Sequence, residues 1–591
     1  MDTAAIEPSI AADIHKFESL LAAYLAGHLG EDEFRVFRLN NGVYGQRQGG
    51  HNHMVRVKAP HGAVTAAQLS ALGEIAEHYS RGWGHLTTRQ NIQFHFVQLE
   101  RVPELLWELA SVGLTTREAC GDTVRNVMGC HLAGACPYEV LDISPWAEAT
   151  FRHLLHHPYA QRLPRKFKIN FSGCANDCGQ AVFNDVGVVA VSRVELGGLA
   201  EAGFRVLIAG GLGANPHAAQ PLEEFTARED LLATIEAIVR TFDHYGNRDN
   251  KLRARLKWVA DEMGIDELRR RVVRERQLLL ASSSWPGGIP ATVEEMGDSP
   301  AGMAAGVAAT PVGTARASRS ATDGDPYLRW RSANVVVGAA KATVSAIVHA
   351  RLGDITSAQF RALAQMAEDL GVDVRITNRQ NLALRGLRVE NLPDLYRRLV
   401  AIAMAEPVAE LARDVVSCPG ADTCNLAVTQ SRGLATDIER ALEVAGLADV
   451  GGVRINVSGC TNSCGHHHVA DIGFYGVERR AHGRSAPGYQ LVLGGHLGGR
   501  DVVFAQRALR LPARVAAEAT VRIVGRFAEE RRPGEEFAVW LKRVGGAKTL
   551  AGELKDLDVW PDPEERPEYY VDFNEAAPYV ADIGQGECAA S

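Results

Sequence analysis

The chain has 591 residues, a formal net charge of −8 and a composition 46% hydrophobic and 23% charged, enough apolar residue for a substantial core and a length that predicts about three or four domains. The acidic balance argues against a general nucleic-acid binder, and no apolar run reaches the roughly 18 residues of a membrane span. The start, MDTAAIEPSIAADIHKFESL, lacks the basic-then-apolar order of a secretory signal. A cytoplasmic enzyme with neither nucleic acid nor membrane as partner is therefore expected.

After an N-terminal segment (1–29), VTAAQLSALGEIAEHY (64–79) predicts a helix capped by Thr65, with Leu69, Leu72 and Ile75 on one face. GHLTTRQNIQFHFVQLERVPELLWEL (84–109) follows as strand, turn, strand and a helix beginning near Pro103. Next come Arg125, a Cys-x5-Cys loop (Cys130, Cys136), the basic stretch LPRKFKINFSG (163–173) and a Cys-x3-Cys turn (Cys174, Cys178). A Gly-rich segment, GFRVLIAGGLGAN (203–215), and a basic run to Arg276, read as a solvated helix face, complete this half.

The Gly, Pro, Ala and Ser content of 282–325 predicts a linker. The same order then returns. ITSAQFRALAQMAEDL (355–370) repeats the capped helix with Thr356, Phe360, Leu363 and Met366, and VRITNRQNLALRGLRVENLPDLYRRL (374–399) repeats the strand–turn–strand–helix unit. Cys418 and Cys424, then Cys460 and Cys464, repeat the cysteines, and GYQLVLGGHLGGR (488–500) the Gly-rich segment. The acidic end, from about Asp556, reads equally as an extended arm or a disordered tail.

Ten cysteines are present; eight form the two sets of four, and Cys120 and Cys588 stand outside them. In a reducing compartment such sets predict metal ligands rather than disulfides. Spacing leaves both iron–sulfur and zinc open, but a pair 36 to 38 residues beyond a Cys-x5-Cys loop suits an iron–sulfur cluster better than a zinc knuckle. Gly173, Gly179, Gly459 and Gly465 flank the cysteines, where positive φ or close approach of the backbone to a cluster would need them. The first half also carries Arg56, Arg125, Lys166 and Lys168, with both lysines on one face of a predicted strand, a set able to surround a small anion. In the second half Arg413 matches Arg125 and Arg454 matches Lys168, whereas Gly452 stands for Lys166 and His349 for Arg56. His466, His467 and His468, as an adjacent triplet, read as packing or surface residues.

On SGCTNSCGHHHVADIGF (458–474), CPGADTC (418–424), LTTRQNIQ (86–93), DTVRNV and LPRKFK, the chain resembles the sirohaem-dependent sulfite and nitrite reductases over roughly residues 30–280 and 325–550. The resemblance implies an internally duplicated, pseudo-twofold α+β fold. Its parts would be ferredoxin-like half domains at 30–118 and 326–404, sirohaem/4Fe–4S-binding domains at 119–281 and 405–550, and an acidic C-terminal arm at 551–591. It implies a 4Fe–4S cluster on Cys418, Cys424, Cys460 and Cys464, with Cys464 bridging to the sirohaem iron. Substrate contact falls to Arg56, Arg125, Lys166 and Lys168, and sirohaem contact to Arg89, Asn91, Gln93, Asn462, Arg379 and Arg454.

The implied activity is six-electron reduction of sulfite to sulfide, with nitrite to ammonia as the alternative. A corrin-biosynthesis oxidoreductase or a non-enzymatic electron-transfer protein is less favoured. No flavin domain or dinucleotide fingerprint is evident, so a ferredoxin or a separate flavoprotein is expected as donor. The first-half cysteines depart from the single-chain assimilatory pattern; Cys130, Cys136, Cys174 and Cys178 are expected to hold a second cluster, with or without a second, silent sirohaem, facing the depleted cation set of the second half, and an unmetallated remnant is the alternative.

Overall fold

The computed structural model describes residues 6–194, 200–283, 285, 324–498 and 501–584. Most of the expected linker, and Cys588, lie outside these residues. Among the described residues, no helix is long and apolar enough to cross a membrane.

Four five-stranded sheets carry the duplication. The first runs in the order Val43–Gly45, Asn52–Val57, Ile92–Gln98, Trp83–Leu86, Asp354–Thr356, and the second Val335–Val337, Thr343–Val348, Leu382–Arg388, Asp373–Ile376, Ala63–Val64. Each therefore ends on a strand supplied by the other half, which pairs with Trp83–Leu86 in one sheet and with Asp373–Ile376 in the other. The helices that follow the exchanged strands, Ala66–Tyr79 and Ser357–Leu370, begin in matching capping boxes. Thr65 Oγ1 accepts from Gln68 N at 3.2 Å while Gln68 Oε1 accepts from Thr65 N at 3.0 Å. Thr356 and Gln359 do the same at 3.2 and 3.0 Å. The two helices approach closely enough that a Cβ on Gly73 would stand 3.0 Å from Ser357 O. Their apolar faces, including Leu69, Leu72, Phe360 and Leu363, belong to one shared core, which the N-terminal helix Pro8–Leu25 joins through Ile14, Phe17 and Leu21.

The other two sheets build the cysteine-bearing domains. In each, two short parallel pairings precede a long antiparallel hairpin: Met128–Gly129, Ile169–Ser172, Val186–Val194, Ala200–Ile208 and Gln220–Thr226 in one, Val416–Ser417, Ile455–Ser458, Ile472–Ala481, Arg484–Leu493 and Gln506–Pro512 in the other. Each covers its own core with helices, Leu231–Tyr245 and Ala516–Glu530 among them. A smaller apolar cluster joins them, in which Val182 and Phe183 of the first half meet Val469 of the second, with Leu497 and Val502 packed against it.

One internal match is corrected. The turns after Asn52–Val57 and Thr343–Val348 share a left-handed residue, His61 (φ 42°) and Leu352 (φ 52°). Counting back from them aligns Arg56 with Ile347 and Lys58 with His349, not Arg56 with His349. The acidic C-terminal segment is an extended arm as far as Gly584. It lies along the loop that carries Cys418 and Cys424, with Asp572 Oδ2 accepting from Gln430 N (2.9 Å), Tyr579 Oη donating to Val428 O (2.9 Å) and Gly584 N donating to Asn425 O (2.9 Å).

Candidate active site

Each Cys-x3-Cys turn grows from the end of a buried parallel strand. Asn170 Nδ2 donates to Gly179 O at 2.7 Å and Gly179 N to Ser172 Oγ at 3.0 Å. Asn456 Nδ2 and Gly465 N repeat these bonds to Gly465 O and Ser458 Oγ at 2.8 and 3.1 Å. A Cβ on Gly179 would stand 1.9 Å from Phe171 O, and one on Gly465 2.1 Å from Val457 O, so only glycine fits. The glycine requirement is thus close approach; none of Gly173, Gly179, Gly459 and Gly465 has positive φ.

The Cys-x5-Cys loops fold back onto these turns. Gly459 N donates to Cys418 Sγ at 3.3 Å, and Cys130 N to Phe171 O at 3.0 Å. Within each set the thiols act on one another electrostatically. Burial, reinforced by Cys464, pushes Cys424 up to about 12, and burial takes Cys136 to about 12 as well. Burial likewise raises Cys418, Cys460 and Cys174, while the contact with Cys130 holds Cys178 down; a cationic metal centre would offset the penalty on the raised thiols. Asn462 lies between Cys460 and Cys464, its backbone N–H directed at the Cys460 sulfur, and Cys464 is the exposed member of its set.

The two halves then cross. The turns 87–91 and 377–381, with Gln90 and Gln380 left-handed at φ 56° and 63°, reach into the opposite half. Thr88 Oγ1 donates to Cys464 O at 2.8 Å, and Asn378 Nδ2 to Cys178 O at 2.6 Å. Gln90 Nε2 bridges Gly129 O and Ile376 O, both at 2.9 Å. Each cysteine set accordingly faces the cations of the other half: Lys166 and Lys168 feel the charge of Cys464, and Arg454 that of Cys178.

Among the first-half cations, Arg89 feels one acid, Asp185, which is itself engaged by Arg255 at 3.0 and 2.6 Å. Arg56 lies opposite Gln93 on the strand ladder and donates to Ala119 O at 3.3 Å. Arg125 donates to Ala119 O (3.0 Å) and twice to Gly121 O (3.1 and 2.6 Å). Backbone carbonyls thus help to fix both guanidiniums, with Cys120 Sγ also accepting from Arg56 at 3.4 Å. Arg89 donates to Asn126 O at 2.7 Å and Asn170 Oδ1 at 3.2 Å. Burial, then Arg125, lowers it to about 9, and its Nε and the Asn91 Oδ1 nearby in the turn are buried with no partner. Lys166 and Lys168 flank the fully buried Phe167, which bridges Val124. The regular strand starts only at Ile169, yet the alternation that puts both lysines on the face opposite Phe167 holds. Burial, then Arg165, lowers Lys166 to about 8; burial, then Arg89, takes Lys168 well below its usual range.

In the second half the corresponding groups are neutralised. Arg379 Nε donates to Asp414 Oδ2 at 2.7 Å, where the first half has Asn126 beside Arg89. Arg454 is bidentate to Glu410 at 2.8 and 2.6 Å. The Glu410 counterpart, Asp122, is instead drawn to Arg165 (3.2 Å) and Lys251 (3.0 Å). Arg413 pairs with Asp449 at 2.7 Å.

The sequence reading missed Thr88 and Gln90, which tie the halves together. His466 is 5% exposed, lies edge-on to Phe183 at 5.5 Å and is held far below its usual pKa by burial and then Lys168. His467 is buried against Tyr475, and His468 meets Gly213 O at 2.9 Å, so the triplet serves packing and no common metal.

Comparison with known proteins agrees with this arrangement. A family model described as the nitrite and sulphite reductase 4Fe-4S domain matches residues 120–278 and 409–553, and one described as the nitrite/sulfite reductase ferredoxin-like half domain matches 44–112 and 339–402. The assimilatory ferredoxin-dependent nitrite reductase of Haloferax mediterranei is 30% identical over 85% of this chain and 84% of its own. The ferredoxin sulfite reductase of Mycobacterium tuberculosis is 30% identical over 83% of this chain and 82% of its own. Among solved structures, the Mycobacterium tuberculosis NirA protein superposes with a TM-score of 0.73 at 28% identity, covering 91% of this chain and 97% of that one.

Proposed function

The chain belongs to the nitrite and sulphite reductase family of oxidoreductases, and from that membership we propose that it reduces sulfite to sulfide with electrons from a ferredoxin. The carrying observation is the crowding of Arg56, Arg125, Lys166 and Lys168 near Arg89, with Lys166 depressed by burial and by its cationic neighbours. A doubly charged anion relieves that repulsion more than a singly charged one, which favours sulfite over nitrite. Nitrite reduction is the second reading, supported by the relative from Haloferax mediterranei.

In this reading Cys418, Cys424, Cys460 and Cys464 hold a 4Fe–4S cluster. The partnerless buried Arg89 Nε, a donor, fits a carboxylate of a sirohaem, with Asn91, Gln93 and Asn462 at its margin. Bound there, the sirohaem–cluster pair supplies electrons one at a time. The chain's own part is to bind and protonate. Arg56 and Arg125, aimed by the Ala119 and Gly121 carbonyls, orient the anion and balance its charge. Lys166 Nζ, near 8, is poised to give up a proton to a departing oxygen and regain it from water at neutral pH. Lys168 Nζ stabilises charge as the bonds to oxygen lengthen.

Cys130, Cys136, Cys174 and Cys178 repeat the same turn and hold a second cluster, a reading that rests on the shared backbone geometry. Arg379 and Arg454, being ion-paired, would not recruit a second sirohaem. Iron and sirohaem quantified on anaerobically purified protein test this: about nine irons and one sirohaem per chain are expected, against about five irons if the first-half set is empty. Zinc on the cysteines, or no sirohaem, overturns the assignment. Sulfite kcat/KM should exceed that for nitrite and fall as pH rises through about 8, where Lys166 loses its proton; Lys166→Arg should move that limb upward.

A further inference from the structure

A polar cluster in the first cysteine-bearing domain takes no part in the chemistry above. The helix Ser144–Leu154 ends in His153 and Leu154, the chain turns through His156 in the left-handed region (φ 61°), and His157 enters the short turn Pro158–Ala160. This reversal brings His153 and His157 to the same side, against Glu236 of the helix Leu231–Tyr245. Glu236 is 2% exposed, His153 and His157 only 18% and 16%. His153 Nε2 stands 2.6 Å from Glu236 Oε2 and His157 Nε2 3.4 Å from Oε1.

We propose that His153, His157 and Glu236 form a binding site for a borderline divalent cation, zinc first, that clamps the end of the Ser144–Leu154 helix to the Leu231–Tyr245 helix. The donor set is two imidazoles and one carboxylate, the combination that suits zinc with a water in the fourth position. The three ligand atoms all lie within 4.8 Å of one another. Zinc bonds of about 2.0–2.2 Å set tetrahedral ligand separations near 3.4 Å, so the 2.6 Å His153 contact must open.

A purely hydrogen-bonded cluster accounts for the geometry less well. Glu236 Oε1 already accepts from Arg240 Nε at 2.7 Å, and His157 remains poorly satisfied, its Nε2 at 3.4 Å and its Nδ1 buried with no partner. Burial works against ionisation of Glu236, but the two imidazoles and Arg240 outweigh it and hold the carboxyl well below its usual range, ready as an anionic ligand. Arg240 Nε and Nη2 both fall on Oε1, at 2.7 and 2.5 Å, which leaves Oε2 to the cation, and Glu275 lies 3.5 Å from Nη1 to share the guanidinium charge. Trp285 packs edge-on against His153 at 5.5 Å and limits water on that side.

The test is zinc titration of the anaerobic holoprotein against a chromophoric chelator, followed by X-ray absorption at the zinc edge. One equivalent per chain is expected, with nitrogen and oxygen scatterers at about 2.0–2.1 Å, imidazole outer shells and no sulfur. His153→Asn/His157→Asn should remove that equivalent while the iron and sirohaem absorption stays unchanged. Glu236→Gln should weaken binding more than about 100-fold, beyond the 10–100-fold that an outer-shell partner carries. Sulfur scatterers would place the zinc on cysteines and overturn the proposal, as would equal zinc uptake by the double variant or no uptake by the native chain. Apart from sulfur scatterers, none of these results bears on the reductase assignment.

Discussion

Arg89 and Arg379 occupy the same turn in the two halves, yet one faces amides and carbonyls and the other a carboxylate. The difference reduces to Asn126 against Asp414, one nitrogen exchanged for one oxygen. The pair Lys168 and Arg454 repeats the lesson: Asp122 is held off by Arg165 and Lys251, whereas its counterpart Glu410 grips Arg454. The consequence is visible in proton affinity. Burial lowers Arg89 to about 9, while for Arg454 Glu410 outweighs burial and raises it. A charge balanced in place adds little attraction for an incoming anion; a charge held by neutral carbonyls keeps its full field in a low dielectric. Duplication supplied two cationic pockets, and the placement of acids distinguishes them.

The largest effect should come from removing an unbalanced cation. Lys166→Ala or Lys168→Ala is expected to lower kcat/KM by about 10²–10⁴-fold with the sirohaem spectrum intact. Arg454→Ala should leave kcat/KM within about threefold and instead cost roughly 1–3 kcal/mol of stability, because Glu410 loses its bidentate partner. Equal kinetic losses at Lys168 and Arg454 would break the distinction between the halves. The reciprocal exchange sharpens it. Asn126→Asp sets a carboxylate beside Arg89 and should reduce sirohaem content or raise KM about tenfold, since each 1.4 kcal/mol is one decade. Asp414→Asn should release Arg379 at a cost of about 1–3 kcal/mol in denaturant unfolding, with no gain in turnover.

Features written in short stretches of sequence were legible. Thr65 and Thr356 announce their helices because a cap is a contact over three residues, and the Cys-x3-Cys turns announce themselves because glycine is the residue that fits under the preceding strand. The neutralising acids were not legible. Asp414 lies 35 residues from Arg379, and Glu410 lies 44 from Arg454; only the closed sheets bring them together. The match of Arg56 to His349 failed for a related reason. Aligning charge with charge slid the register by two residues, whereas the left-handed turn at His61 and Leu352, invisible as charge, sets it. Strand exchange was equally hidden, since Asp354–Thr356 carries no mark of which sheet it will join.

The smallest expected effect tests whether the halves are energetically as well as geometrically related. Thr65→Ala and Thr356→Ala each remove a capping-box oxygen, worth about 1 kcal/mol. Thr356 also closes the exchanged strand as its last residue and pairs with Trp83 in the first-half sheet. Thr65 follows its exchanged strand, Ala63–Val64, without belonging to it. The shared core joining Leu72 to Phe360 predicts that either change lowers one cooperative transition rather than splitting it. Thr356→Ala should cost the same or a few tenths of a kcal/mol more, because a β-branched residue is lost from a strand as well as a cap from a helix. Two separate transitions in calorimetry would mean that the half domains unfold independently and that the exchanged strands contribute little to their union. A single transition that moves by similar amounts for either variant would make the exchanged strands the device that holds the crossed cysteine and cation sets in register.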